Sequence, residues 1–224
     1  MIDIKHLEIG YQNKGQYKSV FKDINLGFDS GDLVGVMGDN GVGKSTFLKT
    51  ITGILNPLSG EIKINNKNIN HYSGQELAKT LSIVVTEKIG GFNLTAWDVV
   101  ATGRIPYINI FGKLSREDEN VVANALEQLH LLPLKHKLID ELSDGQRQKV
   151  MIAKSLAQQT PIIVLDEPTA FLDHTSKHHL FKILKQLCNE QSKLIIVSSH
   201  DLELMKTYIN KSLKMKEGNK IRVI

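Results

Sequence analysis

The residues best suited to phosphate chemistry are Gly38-Asp39-Asn40-Gly41-Val42-Gly43-Lys44-Ser45-Thr46. Their spacing fits the pattern G-x-x-x-x-G-K-S/T. Glycines let successive backbone N–H groups turn toward one point, and a following helix adds the partial positive charge of its N-terminus there. Lys44 would then neutralise terminal phosphates, and the Ser45 hydroxyl would offer Mg²⁺ an oxygen ligand. Average composition produces this combination in roughly 1 in 100 chains of this size. The plain alternative is a glycine-rich turn that only begins the helix from Ser45. A second group, Asp166-Glu167, ends the aliphatic run Ile162 to Leu165. In such a position Asp166 would hold Mg²⁺ through water, and Glu167 would polarise a water attacking a phosphoryl group. Either group alone is weak evidence; together they describe a nucleotide site.

These residues need strands that end where a ligand binds. Strand patterns run from Ile2 to Ile9, Ile24 to Phe28, Leu33 to Met37, Glu61 to Ile64, Leu81 to Val85, Ile162 to Leu165 and Leu194 to Val197. The last two are continuously aliphatic, as expected of strands covered on both faces of a parallel sheet. Helical patterns run from Ser45 to Leu55, Ser115 to Leu132, Ser143 to Gln158 and Ser176 to Asn189. Strands separated by helices imply an α/β core. The interval from Glu87 to Leu142 has no clear strand and reads as a helical lobe. Ser143 and Gln146 have the S-x-x-Q spacing of a capping box, and a helix start of this kind also attracts anions.

With 224 residues, 28 Lys plus Arg and 24 Asp plus Glu, the chain carries a formal charge of +4. The lysines are scattered rather than clustered, so the charge predicts no nucleic-acid partner. No apolar run approaches the roughly 18 to 20 residues of a membrane helix. The start, Met1 to Lys5, lacks signal-peptide features, which predicts a cytosolic location. Cys188 is the lone cysteine and falls on the apolar side of a helical pattern, as a core residue. His174, His178 and His179 could suggest metal, but lysines flank them and no Cys or acid completes a set.

Taken in order, Gly38 to Thr46, Leu142 to Gln146, Ile162 to Glu167 with Pro168-Thr169, Phe171-Leu172-Asp173 and Ser199-His200-Asp201 resemble the ATP-binding subunit of an ABC transporter. The resemblance spans nearly the whole chain. It implies a P-loop NTPase core with a mainly parallel sheet, N-terminal antiparallel strands and a helical lobe at about 87–158, all within one domain of residues 1–224. It also implies ATP and Mg²⁺ as ligands. By the same resemblance Tyr11 stacks on adenine, and Ser143, Gly145 and Gln146 contact ATP held by the opposite subunit. Asp173 lies in the loop that couples the two sites, and His200 is the switch histidine at the γ-phosphate. Two positions depart from the family pattern. Asp144 stands where glycine is commonest, and Thr86-Glu87 stand where a glutamine usually follows the strand. The expectation is that Thr86 replaces that glutamine at Mg²⁺, through a water.

The segment Asn93 to Tyr107, with Thr102-Gly103-Arg104-Ile105-Pro106, resembles importers of iron-siderophore, heme or cobalamin complexes. This implies a second copy of the chain, transmembrane permease subunits, and an external substrate-binding protein that acts indirectly. The chain would then be peripheral, at the cytoplasmic face of the membrane. The tail after Asp201 is expected to be too short for an appended regulatory domain. Alternatives are an exporter ATPase or a soluble ABC ATPase of iron-sulfur cluster assembly. A P-loop small-molecule kinase fits less well, because about 35 residues of strand structure precede the loop.

Overall fold

The computed structural model describes residues 1–13, 16–85, 93–108, 112–216 and 220–223. Two sheets organise them. A four-stranded antiparallel sheet has the order β2-β1-β4-β5, formed by Ile2–Asn13 (β1), Gln16–Phe28 (β2), Ser59–Ile64 (β4) and Lys67–Asn68 (β5). A six-stranded sheet has the order β10-β9-β3-β8-β7-β6. Its strands are Leu33–Met37 (β3), Leu81–Val84 (β6), Ile162–Leu165 (β7), Leu194–Ser198 (β8), Lys211–Lys216 (β9) and Lys220–Val223 (β10). All its pairings are parallel except β9 with β10. The α/β class with a mainly parallel sheet and N-terminal antiparallel strands is therefore present.

The aliphatic runs are explained by the two cores. Ile162, Val164, Leu194 and Ile196 join one cluster with β1, β4 and helix α1 (Lys44–Ile51), while Ile163, Leu165, Ile195 and Val197 join another beneath the helices. Alternate side chains leave opposite faces of a strand, so a strand buried on both faces has no polar side. The second cluster is roofed by α3 (Ala96–Ala101), α4 (Arg116–Gln128), α5 (Asp144–Ala157) and α6 (His174–Gln191), through Val100, Val122, Leu126, Val150, Ala153 and Leu184.

Several boundaries differ from the sequence expectation. Helix α1 stops at Ile51 rather than Leu55, because Gly53 turns left-handed at φ 77° and the N–H groups of Ile54 and Leu55 return to the Lys49 carbonyl. Helix α4 stops at Gln128 rather than Leu132, where His130 adopts φ 57° and the Leu131 N–H bonds the Leu126 carbonyl. Helix α6 begins before Ser176, because the Asp173 carboxylate caps it by accepting from the Ser176 N–H at 2.8 Å. The sequence patterns did not show α2 (Gly74–Thr80), which buries no residue, α7 (Leu202–Tyr208) or strands β9 and β10. Strands β1 and β2 also continue past their apolar portions, into backbone pairing whose side chains are largely exposed.

Candidate nucleotide site

Strands β3, β8 and β7 lie side by side and run parallel, so their carboxyl ends meet at one edge. The glycine-rich loop follows β3, Asp166-Glu167 follow β7, and Ser199-His200 follow β8. Ligands of open parallel sheets bind at this edge. A cleft of about 490 Å³ opens there, lined by Tyr11, Asn40, Gly41, Gly43, Lys44, Ser45, Thr46, Glu167 and His200, together with Lys18, Ser19 and Val20. Its size suits a small-molecule ligand.

The loop's shape depends on glycine at Gly43, which starts α1 at φ 115°. A Cβ there would come within 2.5 Å of Val20 Cγ1, so any side chain would both strain the backbone and displace β2. Lys44 is 6% exposed, and its ammonium curls back over the loop. It donates to the carbonyls of Gly38 at 2.8 Å and Asp39 at 3.2 Å, and lies 3.2 Å from His200 Nε2. Two of its three donors are thus placed on loop carbonyls, and the third meets an acceptor when His200 Nε2 carries no proton. Of the loop residues, Gly38 and Asp39 hold Lys44, Asn40, Gly41, Gly43, Ser45 and Thr46 line the cleft, and Val42 is buried in the core.

Glu167 closes the far side. Its backbone sits at φ 47°, an unusual conformation for a non-glycine residue and one associated with functional strain. The Ser198 hydroxyl secures it, accepting from the Glu167 N–H at 2.8 Å and donating to Asp166 Oδ1 at 2.7 Å. Burial pushes the Glu167 carboxyl above its ordinary value of 4.5, against the opposing pull of His200 and Lys44. His200 Nε2 lies 2.9 Å from Glu167 Oε1. Glu167 Oε1 nevertheless makes no hydrogen bond among the described residues, so this is a close approach only, and the ring's tautomer decides whether Nε2 accepts from Lys44.

Tyr11 lines the mouth of the cleft, about half exposed, with its hydroxyl 2.8 Å from Thr46 Oγ1. Sequence reasoning missed Lys18, Ser19 and Val20, because β2 lacks an alternating pattern there. It gave Ser198 no role; two adjacent serines closing an aliphatic strand were the available signal.

Ser143, Gly145, Gln146 and Asp173 do not line this cleft. Ser143 caps α5 as expected, with Gln146 N–H to Ser143 Oγ at 3.3 Å and Ser143 N–H to Gln146 Oε1 at 3.0 Å. Gly145 touches the Phe171 loop, where a Cβ would lie 2.7 Å from the Phe171 carbonyl oxygen. The α5 start and the segment leading to Asp173 therefore sit together, outside the lining of the cleft. Thr86 and Glu87 lie outside the described residues. The three histidines of α6 turn to separate partners. His178 Nδ1 is 3.0 Å from the Tyr208 hydroxyl, His179 Nε2 is 2.8 Å from the Gln128 carbonyl oxygen, and His174 packs on His178.

The Ser45 hydroxyl and the buried Asp166 carboxylate are hard oxygen donors and fit Mg²⁺. Among the described residues no group of three or more His, Cys, Asp or Glu is placed to hold a metal. That donor set suits an ion completed by substrate phosphates and water rather than a protein cage.

The ABC transporter family model matches residues 21–170, which contain the glycine-rich loop, α5 and the Asp166-Glu167 strand end. An ABC transporter ATP-binding protein of Methanocaldococcus jannaschii is 40% identical over 204 residues, covering 91% of this chain and 69% of that one. The iron(3+)-hydroxamate import ATP-binding protein FhuC of Bacillus subtilis is 33% identical over 221 residues, covering 99% and 81%. A dimeric bacterial ABC transporter cassette shares the fold at TM-score 0.89 and 28% identity, covering 100% of this chain and 98% of the cassette. The chain belongs to the ABC transporter family, as an ATP-binding subunit that hydrolyses ATP.

Proposed function

We propose that the chain powers an ABC importer of iron-siderophore, heme or related iron or cobalamin complexes, by closing with a second copy of itself around two ATP molecules. One observation carries the two-chain mechanism: the cleft gathers the glycine-rich loop, Glu167 and His200, while Ser143, Gly145, Gln146 and Asp173 remain outside it on or near the surface. In a head-to-tail pair, the α5 N-terminus of one chain faces the nucleotide on the other, adding capped backbone N–H groups and a helix dipole to the γ-phosphate. The dimeric cassette that shares the fold supports this arrangement.

Within the cleft, Lys44 exchanges the Gly38 and Asp39 carbonyls and His200 for the β- and γ-phosphates, which are better partners for an ammonium. Tyr11 leaves Thr46 to stack on adenine. His200, released from Lys44, shifts its ring proton from Nδ1 to Nε2 by exchange with water and donates from Nε2 to the γ-phosphate. Glu167 orients the attacking water and takes its proton as the bond from the γ-phosphorus to the β–γ bridging oxygen breaks, yielding ADP and inorganic phosphate. Ser45 directly, and Asp166 and Thr86 through water, would hold Mg²⁺, which would supply charge neutralisation at the phosphates.

The import reading is supported by the relative named for iron(3+)-hydroxamate import. Permease subunits would dock on the helical lobe at about 87–158, and the external binding protein would act only through them. No helix among the described residues is long and apolar enough to cross a membrane. In this reading the chain is held peripherally at the cytoplasmic face by its permease. The test is size-exclusion chromatography of Glu167→Gln, which should elute as a dimer with ATP and as a monomer without it. Elution as a monomer with saturating ATP would refute the shared-site mechanism. Stable co-purification with soluble cluster-assembly proteins instead of a permease would refute import.

A further inference from the structure

We infer that Arg147 is a positioning residue that neutralises Asp144 at the phosphate-facing start of α5; this rests on the shared-site reading above. Asp144 is the first residue of the helix, and its carboxylate is about half exposed. The cap is already made by Ser143 and Gln146, so the helix start does not depend on Asp144. An acid in the first turn favours an isolated helix because it meets the positive end of the dipole. When the same end must receive the terminal phosphate of ATP, that carboxylate opposes the incoming charge.

The structure contains the compensation. Arg147 Nη2 donates to Asp144 Oδ1 at 2.5 Å, one turn along the same helix. The planar guanidinium holds its fork geometry, so its positive charge both offsets the carboxylate and fixes where it points. An exposed pair of this kind contributes little to folding stability. Its effect is on the charge that α5 presents to the opposite subunit. Arg147 therefore acts through Asp144 and need not touch ATP.

The experiment measures ATP-driven dimerisation of the Glu167→Gln protein by analytical ultracentrifugation, at low and high NaCl. Four forms are compared: Arg147 or Arg147→Ala, each with Asp144 or Asp144→Asn. With Asp144 present, Arg147→Ala should weaken dimerisation roughly five-fold at low salt, and the deficit should shrink at high salt as screening reduces the exposed repulsion. With Asp144→Asn, the same Arg147→Ala change should have no effect. This rescue separates charge compensation from a structural role for Arg147, which would persist whatever occupies position 144. An equal loss in both backgrounds, or a deficit that grows with salt, overturns the inference while leaving the shared site intact. Absence of any ATP-driven dimer in the Glu167→Gln parent overturns both.

Discussion

Replacing Ser198 with alanine removes one hydroxyl that joins the catalytic strand end to its neighbour. Ser198 is fully buried, donates to Asp166 Oδ1 at 2.7 Å and accepts from the Glu167 N–H at 2.8 Å. A hydrogen bond to a charged carboxylate is worth about 1.5–3 kcal/mol, and a buried N–H left without a partner costs about 1–3 kcal/mol. Asp166 keeps a further interaction, which moderates the first figure. Together these give a loss of about 2–4 kcal/mol in unfolding free energy, measurable by urea denaturation. The Glu167 backbone, held at φ 47° partly by this bond, should relax and misalign its carboxylate. Displacements of this kind lower turnover by about ten-fold or more. The assay is steady-state phosphate release beside the denaturation curve. A loss below about 0.5 kcal/mol with unchanged turnover would show that the hydroxyl does not hold the two acids in place.

Three further predictions follow from buried charges. Burial raises the Glu167 carboxyl above 4.5, so its ionised form, which the mechanism needs, is lost earlier on acidification than for an ordinary glutamate, and the acid limb of the ATPase profile should shift upward. The same sign makes ionised Glu167 a cost to the fold above its raised pKa; Glu167→Gln should therefore raise the melting temperature at pH 7.5, with the gain vanishing below about pH 4.5. Arg104→Ala should cost about 3–5 kcal/mol in urea denaturation, because it strips Asp118 of a 2.8 Å partner and also frees the Ala157 carbonyl and Gln159 Oε1.

The residues visible in the sequence were those whose chemistry needs a strict local pattern. The glycine-rich loop and the continuous aliphatic strands β7 and β8 have fixed spacing and unusual composition, so they could be read without the fold. Ser143 with Gln146 was similarly visible, because a capping box joins residues three apart. Strand β2 was only partly visible: its register is set by pairing with β1 rather than by alternation, so Lys18, Ser19 and Val20 reach the cleft without a local signal. Helix α2 was silent because it buries no side chain. The pairing of Ser198 with both Asp166 and Glu167 joins residues about 30 apart through adjacent parallel strands, and no local pattern reports that.

The central claim is that each ATP site is built from two chains, and complementation between two defective variants tests it most directly. Lys44→Ala disables the glycine-rich loop of one chain, and Ser143→Arg blocks the α5 start of another. Each variant alone should be inactive. Mixed in equal amounts, half the dimers are mixed pairs, and each of these retains one intact site of two, so roughly a quarter of the normal ATPase rate should return. A mixture that stays as inactive as its components would contradict the shared site.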